Sequence, residues 1–293
     1  MTKLGIGTWQ WGDRQTWGYG RGYGEADIRA AFHAAVEAGI TLFDTAEIYG
    51  GGESERLLGR CLRASTADLQ VATKFFPFPW RVFQRGSLVA ALRASLQRLG
   101  VERVSLYQIH WPLPLVPGDV WADELAEAVH AGLVDAVGVS NYGVRNLRRM
   151  HTALAKRGIE LASNQIEYSL LQRKHERDGL IRACAALHVR VIAYSPLAMG
   201  LLSGKYSPEH PPSGVRRWRA GAKLHRAAGL MPTIQSIGAA HGGRTPSQVA
   251  LNWLMAHGAL PIPGAKSAQQ ALENAGALGW QLTPDELERL DRL

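Results

Sequence analysis

The chain has 293 residues, of which 46 % are hydrophobic and 20 % are charged, a balance that supports a large folded core and excludes a disordered chain. Its net charge of +8 is compatible with nucleic-acid binding, but the basic residues are spread along the chain and no nucleic-acid motif accompanies them. No uninterrupted apolar run reaches the length of a membrane span. Cys61 and Cys184 lie far apart, so they indicate neither a disulfide framework nor a metal site.

These features predict the setting in which the protein works. The sequence enters a strand pattern at once and shows no signal peptide, so we expect a cytoplasmic protein. We expect a small-molecule substrate, no nucleic-acid, membrane or metal partner, and a monomer or a small homo-oligomer. The positive charge is then explained by a solvated surface and a site for a small polyanion.

Eight segments have the apolar pattern of short strands, at residues 4–9, 40–44, 69–74, 104–109, 134–140, 161–166, 189–194 and 260–263. Helical patterns follow most of them, from Glu25 to a stop at Gly39 and over residues 54–63, 88–99, 119–131, 144–156, 180–186, 268–277 and 284–293. Most neighbouring strands begin about 30 residues apart, as the strand–helix units of a closed parallel barrel do. We therefore predict an α/β fold, a (β/α)8 TIM barrel that forms one domain over residues 1–293.

The spacing between the seventh and eighth strands is longer than the others. Residues 197–229 contain Pro208, Pro211 and Pro212 and the basic run Arg216-Arg217-Trp218-Arg219, and prolines interrupt regular structure. We expect a long loop here, on the side of the barrel where active sites lie, and interpret it as a lid over the site.

Ionisable side chains stand at the ends of three successive predicted strands. Asp44 ends the second, Lys74 ends the third, His110 follows the fourth, and Tyr49 comes five residues after Asp44. In a barrel these strand ends meet at the catalytic face. A buried carboxylate needs a cation, so we expect Lys74 to pair with Asp44 and to lower the pKa of Tyr49.

This set of residues suits one type of chemistry. Tyr49 can donate a proton to the oxygen of a carbonyl group, and His110 can orient that oxygen; because no side chain supplies a hydride, a nicotinamide cofactor is implied. Each residue also has a structural alternative: Asp44 as a helix N-cap, Lys74 as an exposed strand end, and Tyr49 and His110 as packing residues. Their joint occurrence at successive strand ends favours the catalytic interpretation.

The same residues carry a resemblance to a known family. Phe43-Asp44-Thr45-Ala46-Glu47-Ile48-Tyr49-Gly50, the strand-ending Lys74 and Gln108-Ile109-His110-Trp111 resemble motifs of the aldo-keto reductase superfamily, and the resemblance covers essentially the whole chain. It implies that Tyr49 is the proton donor, that Asp44 and Lys74 tune it, and that His110 positions the carbonyl. The overall pattern is most similar to the pyridoxal-reductase-like group of bacteria and plastids.

The resemblance also implies a binding site for NADPH or NADP+. Lys266 and Ser267 are the expected contacts of the 2′-phosphate, although Gln270 stands where many members of the family carry an arginine. Lys205 is expected at the pyrophosphate, and Tyr194 is expected to stack on the nicotinamide. The full set of implied cofactor residues is Thr8, Trp9, Asp44, Ser140, Asn141, Gln165, Tyr194, Ser195, Pro196, Leu197, Gly200, Lys205, Pro263, Gly264, Lys266, Ser267, Gln270, Glu273 and Asn274.

Aromatic residues in the predicted strand-end loops indicate the substrate. Besides Tyr49 and His110, the expected substrate contacts are Trp9, Trp80 and Trp111, with Trp17 and Trp218 as further candidates. Such a pocket favours flat aldehydes. The reductase competes with three other interpretations: a nucleotide-sensing subunit that holds the cofactor and turns over slowly, an inactive scaffold, and an enzyme that works in the direction of alcohol oxidation.

Overall fold

The protein forms a barrel of eight parallel strands in sequence order, in a computed structural model that describes residues 2–213 and 215–293. Each strand pairs with the next, and the first closes on the end of the last through the amide of Gly7, which donates to the carbonyl of Pro263 (3.0 Å). The predicted (β/α)8 barrel is thereby confirmed. The strands are β1 (Gly5–Gly7), β2 (Leu42–Asp44), β3 (Gln70–Phe75), β4 (Val104–Ile109), β5 (Val134–Ser140), β6 (Leu161–Glu167), β7 (Arg190–Tyr194) and β8 (Leu260–Pro261).

Eleven helices accompany the strands in the part of the chain that the structure describes. All eight predicted helices are found, with their ends shifted by at most three residues. The helices are α1 (Glu25–Glu37), α2 (Glu53–Arg63), α3 (Ser87–Leu99), α4 (Ala122–His130), α5 (Val144–Ala155), α6 (Lys174–Arg177), α7 (Leu180–Ala186), α8 (Val215–Ala240), α9 (Pro246–Ala256), α10 (Ala268–Ala275) and α11 (Pro284–Asp291).

The segment between β7 and β8 differs from the expected long loop. A short 3-10 helix covers Ala198–Ser203, irregular chain follows as far as residue 213, and α8 and α9 occupy most of the remainder. Buried residues in α8 recur at helical spacing, at Leu224, Ala227, Leu230, Ile234 and Ile237, so the sequence carried a signal for this helix. That signal was missed because Pro208, Pro211 and Pro212 predicted a loop over residues 197–229, although all three prolines precede the helix.

The strands alternate between the barrel interior and the helical layer, as a two-residue period requires. On β2, Phe43 packs against Phe32 of α1 with ring centroids 4.8 Å apart, whereas Leu42 belongs to a separate apolar cluster with Ala72, Ile192, Leu260 and Ile262. Asp44, two residues after Leu42, lies on the same face of the strand. The interior is thus filled with apolar side chains at one level, and the following level holds charged and polar groups.

Two further features of the described chain bear on the sequence-based expectations. Among residues 2–213 and 215–293, no helix combines the length and the apolar composition needed to cross a membrane. Both cysteines lie in helices, Cys61 in α2 and Cys184 in α7, and both are buried free thiols.

Candidate active site

A cavity of about 730 Å³ opens at the end of the barrel where the strands terminate. Its walls come from the final residues of β1, β2, β6 and β7 and from the segments that follow β1, β2, β4, β5, β7 and β8. Of the residues predicted to contact a cofactor, all line this cavity except Ser140 and Ser267. The parallel arrangement of the barrel therefore brings together positions that are up to 266 residues apart in sequence, since Thr8 and Asn274 line the same space.

Asp44 and Lys74 form a buried ion pair below the cavity. The two side chains are hydrogen bonded to each other, and their exposed fractions are 3 % and 0 %. Lys74 Nζ also donates to the carbonyl of Thr45 (2.8 Å), while the second carboxylate oxygen of Asp44 accepts from Gln165 (2.8 Å) and Gln108 (3.3 Å). Burial alone lowers the pKa of Lys74, but the charges of Asp44 and Tyr49 outweigh it and the net shift is upward; the ammonium is held charged.

Tyr49 lies above this pair, with its hydroxyl oxygen 3.5 Å from Lys74 Nζ. The pKa of Tyr49 is raised above its ordinary value, chiefly by burial, with the Lys74 ammonium acting in the opposite direction. The predicted lowering by Lys74 is therefore present as a contribution, but burial outweighs it. The phenol remains protonated at neutral pH, which is the state that an acid needs before it donates its proton.

His110 faces Tyr49 across the cavity, with the two rings edge to face and their centroids 5.6 Å apart. Burial, with a further contribution from the Lys74 ammonium, lowers the pKa of His110 well below its ordinary value. The imidazole is therefore neutral at pH 7. Its Nδ1 is buried and has no hydrogen-bond partner among the described residues, so the ring retains hydrogen-bonding capacity.

The side chains of Ser140 and Asn141, at the end of β5, belong to a connected hydrogen-bond network beside this group. Asn141 donates to the carbonyl of His110 (3.2 Å) and to Ser140 Oγ (2.9 Å), and its Oδ1 accepts from the Tyr194 hydroxyl (2.9 Å). Ser140 Oγ in turn donates to the carbonyl of Gln165 (2.9 Å). Ser140 therefore supports Asn141 from outside the cavity wall.

The far end of the cavity lies where α10 begins. Ser267 caps α10, because its hydroxyl accepts from the amide of Gln270 (3.3 Å), which explains why its side chain is absent from the cavity wall. Gln270 Oε1 accepts from the amide of Lys266 (2.9 Å), and Asn274 donates to the carbonyl of Gly264 (3.3 Å). This end thus presents the cation Lys266 on a rigid helix start.

The aromatic residues divide into two groups. Trp9, Trp17, Tyr49 and Trp111 line the cavity, and Trp9 contacts both Trp17 (5.6 Å) and Tyr49 (6.4 Å) between ring centroids. The expectation that Trp80 belongs to this wall is corrected: its ring is 57 % exposed, stacks on Phe78 and does not line the cavity. The side chains of Arg216, Trp218 and Arg219 lie outside the described residues.

Several residues at the site escaped the sequence analysis. Gln108 lies inside the quoted motif, yet its bond to Asp44 depends on the register that sets it opposite Lys74. Gln10, Asp13 and Tyr206 also line the cavity, and they sit in irregular segments that carry no periodic signal. Among the described residues, no cluster of histidine, cysteine and carboxylate side chains has the arrangement of a metal site.

Comparison with known proteins relates this geometry to characterised relatives. A sequence model of the Aldo/keto reductase family matches residues 3–293. The chain is 41 % identical to the chloroplastic pyridoxal reductase of Arabidopsis thaliana, over 99 % of this chain and 82 % of that protein. Two solved structures are similar: an aldo/keto reductase of Klebsiella pneumoniae in complex with NADP and acetate (TM-score 0.77, 28 % identity, 99 % and 90 % of the two chains), and a glycerol dehydrogenase of Gluconobacter oxydans (TM-score 0.82, 26 % identity, 99 % and 90 %).

Proposed function

The chain belongs to the aldo/keto reductase family of oxidoreductases, and we propose that it reduces aldehydes and ketones to alcohols with NADPH and with Tyr49 as the proton donor. The observation that carries this proposal is the buried Asp44–Lys74 pair below the Tyr49 hydroxyl, with the neutral His110 beside it. Bound NADPH would supply the hydride for the carbonyl carbon.

The cavity fits such a cofactor in shape and in chemistry. It extends from Tyr49 to Lys266 within one continuous space of about 730 Å³, large enough for a ligand with two nucleotide halves. The wall offers cations at Lys205 and Lys266, and the buried Oε1 of Gln10 has no partner among the described residues. We propose that Lys205 binds the pyrophosphate, that Lys266 binds the 2′-phosphate, and that Asn141 and Gln165 hold the nicotinamide amide.

The protein groups then act in a defined order. The imidazole of His110 and the hydroxyl of Tyr49 fix the carbonyl oxygen of the substrate at the cavity wall. The Tyr49 hydroxyl gives its proton to that oxygen as negative charge develops there. Lys74, 3.5 Å away, stabilises the resulting phenolate, and Asp44 keeps Lys74 charged. The buried position of the pair limits screening by water, which strengthens both interactions.

The substrate side of the cavity supports flat aldehydes as the substrate class. Trp9, Trp17 and Trp111 present aromatic surface next to Tyr49, and ring stacking favours aromatic carbonyl compounds. The similarity to a pyridoxal reductase makes pyridoxal the first compound to test within this class. Trp80 is not part of the proposed substrate wall.

Replacement of Tyr49 by phenylalanine tests the proposal. We expect Tyr49→Phe to bind NADPH as the wild type does and to lower kcat about 10²- to 10⁴-fold, because the proton donor is removed while the ring remains. Binding is measured by quenching of tryptophan fluorescence, and turnover by NADPH absorbance with pyridoxal and benzaldehyde. Tyr107→Phe is the matched control, since Tyr107 is fully buried, does not line the cavity and makes only a 3.5 Å hydrogen bond.

Four outcomes would contradict the proposal in different ways. Near-normal turnover of Tyr49→Phe would refute the role of Tyr49. Tight NADPH binding by the wild type without turnover of any aldehyde would favour the nucleotide-sensing subunit, and absence of binding would favour an inactive scaffold. Faster turnover of alcohols with NADP+ than of aldehydes with NADPH would reverse the proposed direction.

A further inference from the structure

Tyr23 and Lys266 meet at the outer edge of the cavity. Tyr23 lies two residues before α1 and Lys266 two residues before α10, and α1 packs against α10. The contact between Tyr23 and Lys266 brings the starts of the two helices together. The ammonium of Lys266 lies over the face of the Tyr23 ring, 4.6 Å from its centroid, which is the geometry of a cation–π interaction.

Three contacts hold Tyr23 in place. Its hydroxyl donates to the carbonyl of Gln10 (2.6 Å), its backbone carbonyl accepts from Gly20 (2.9 Å), and the ring of Tyr19 meets its ring edge to face at 5.8 Å. Burial and then the Asp13 carboxylate raise the pKa of the Tyr23 hydroxyl. The group therefore stays a neutral phenol that donates to Gln10.

Lys266 supplies the positive charge at this end of the cavity. The Ser267 hydroxyl is engaged in capping α10, and the Gln270 side chain binds the backbone amide of Lys266. An unrestrained lysine loses much side-chain freedom when it binds an anion. In this chain Gln270 holds the Lys266 backbone and Tyr23 contacts its ammonium. The Lys266 side chain is therefore already restricted in the free protein, and binding of an anion costs less side-chain entropy.

We propose that Tyr23 is a positioning residue, which holds the Lys266 ammonium in place for the 2′-phosphate of NADPH and so contributes to the discrimination against NADH. This inference rests on the proposed function, because it takes NADPH as the cofactor. It assigns a task to the segment between β1 and α1, of which Trp9 and Thr8 alone were expected to contact the cofactor.

The test compares the affinities of three proteins for the two cofactors by quenching of tryptophan fluorescence. We expect Tyr23→Leu to raise the Kd of NADPH by about three- to tenfold and that of NADH by less than about twofold, as the loss of one cation–π contact predicts. Tyr23→Phe keeps the ring and is expected to stay within about twofold of the wild type.

A double-mutant cycle separates positioning from a general loosening of the segment. If Tyr23 acts through Lys266, then Tyr23→Leu in a Lys266→Ala background changes the ratio of the two Kd values no further. An equal additional loss in that background would overturn the inference. A wild type that binds both cofactors equally would instead refute the NADPH preference of the proposed function, whereas a preference that survives Tyr23→Leu refutes only the role of Tyr23.

Discussion

Lys74 illustrates at the scale of one residue why a costly buried charge is retained. Its side chain has no exposed surface, and its partner Asp44 is 3 % exposed. Such pairs add little net stability, because desolvation offsets most of their attraction, whereas removal of one partner costs about 3–5 kcal/mol. The pair is therefore better explained by the chemistry of Tyr49 than by stability, since Lys74 Nζ reaches the Tyr49 hydroxyl.

The identities of these residues were predictable from the sequence, but their electrostatic balance was not. Asp44, Lys74 and His110 stand at strand ends, and parallel strands bring such ends together. The sequence also suggested that Lys74 would lower the pKa of Tyr49. Burial raises it instead, and the extent of burial depends on segments from other parts of the barrel, which no local pattern specifies.

His110 gives the protein a pH-dependent stability. Its folded-state pKa is depressed by burial and by Lys74, whereas an unfolded histidine titrates near pH ~6.5. Between these two values the unfolded chain binds the proton and the folded chain does not, so stability rises with pH across this window and is lost as pH falls through it. Above pH ~6.5 neither state binds this proton, so His110 no longer lowers the free energy of unfolding.

We therefore expect the free energy of unfolding of the wild type to fall more steeply below pH ~6.5 than that of His110→Gln. Urea unfolding between pH ~5 and ~8 measures both curves. His33→Gln is the matched control, because it removes an exposed imidazole from α1 and should leave the slope of the wild type unchanged. Parallel curves for wild type and His110→Gln would show that His110 is not held neutral.

At the scale of elements, α2 and α3 show how closely the layer outside the barrel is packed. Glu55 of α2 is fully buried and binds both Arg98 of α3 (2.5 Å) and Thr73 of β3 (2.6 Å). Near it, Gly59 lies against the end of α3, where an added Cβ would meet the carbonyl oxygens of Leu99 at 2.4 Å and Arg98 at 2.8 Å. Both obstacles are backbone atoms, which cannot rotate away.

Gly59→Ala is expected to lower the free energy of unfolding by about 1–3 kcal/mol, because α2 must move away from α3 to admit the methyl group. Urea unfolding measures the change. Gly229→Ala in α8 is the matched control: it also places alanine in a helix, but an added Cβ there meets nothing within 4 Å. There we expect stabilisation by up to about 1 kcal/mol, from the helix propensity of alanine. Equal changes in both variants would mean that the α2–α3 contact tolerates the methyl group.

The helices and strands with regular hydrophobic patterns were predicted most accurately. Strands β2 to β7 were located to within two residues, because short apolar runs alternate with helical stripes. By contrast the first part of α8 was expected to belong to a loop over residues 197–229, because Pro208, Pro211 and Pro212 lie just before it. Trp80 was expected in the substrate wall, but the 3-10 helix Pro79–Phe83 that contains it turns its ring onto Phe78, an orientation that only the folded loop defines.

At the scale of the whole molecule, the candidate catalytic groups lie at one end of the barrel, whereas the basic residues are distributed along the whole chain. The net charge of +8 raises the local concentration of an anionic cofactor, and Lys205 and Lys266 place two of these charges on the cavity wall. Single-domain organisation over residues 1–293, cytoplasmic location and oligomeric state stay predictions. The lid predicted within residues 197–229 also stays a prediction, and the structure limits the candidate segment to the part that precedes α8.

The candidate lid is the segment Met199–Ser213, of which Met199, Gly200, Ser203, Lys205 and Tyr206 line the cavity. Met199 has a φ of 57°, a left-handed conformation that is strained for a residue with a side chain. Lys205 Nζ lies over the Tyr206 ring, 5.0 Å from its centroid. A segment with a strained residue and a cation on the cavity wall is suited to a change of conformation when an anionic ligand binds.

Hydrogen exchange measured with and without NADPH tests the lid. At a concentration of about 100 Kd the cofactor stabilises the folded state by about 2.7 kcal/mol, which slows exchange wherever amides open only by global unfolding, as expected for the strands. In the free protein the amides of residues 199–213 are expected to exchange by local opening, which global stabilisation does not slow. If the lid closes over NADPH, their exchange slows as well. We expect Lys205→Ala at saturating NADPH to lose this additional protection and to keep the protection of strand β5. Because the two effects separate by location, unchanged exchange in residues 199–213 beside protected strands would show that the cofactor binds to an open segment and that no lid exists there.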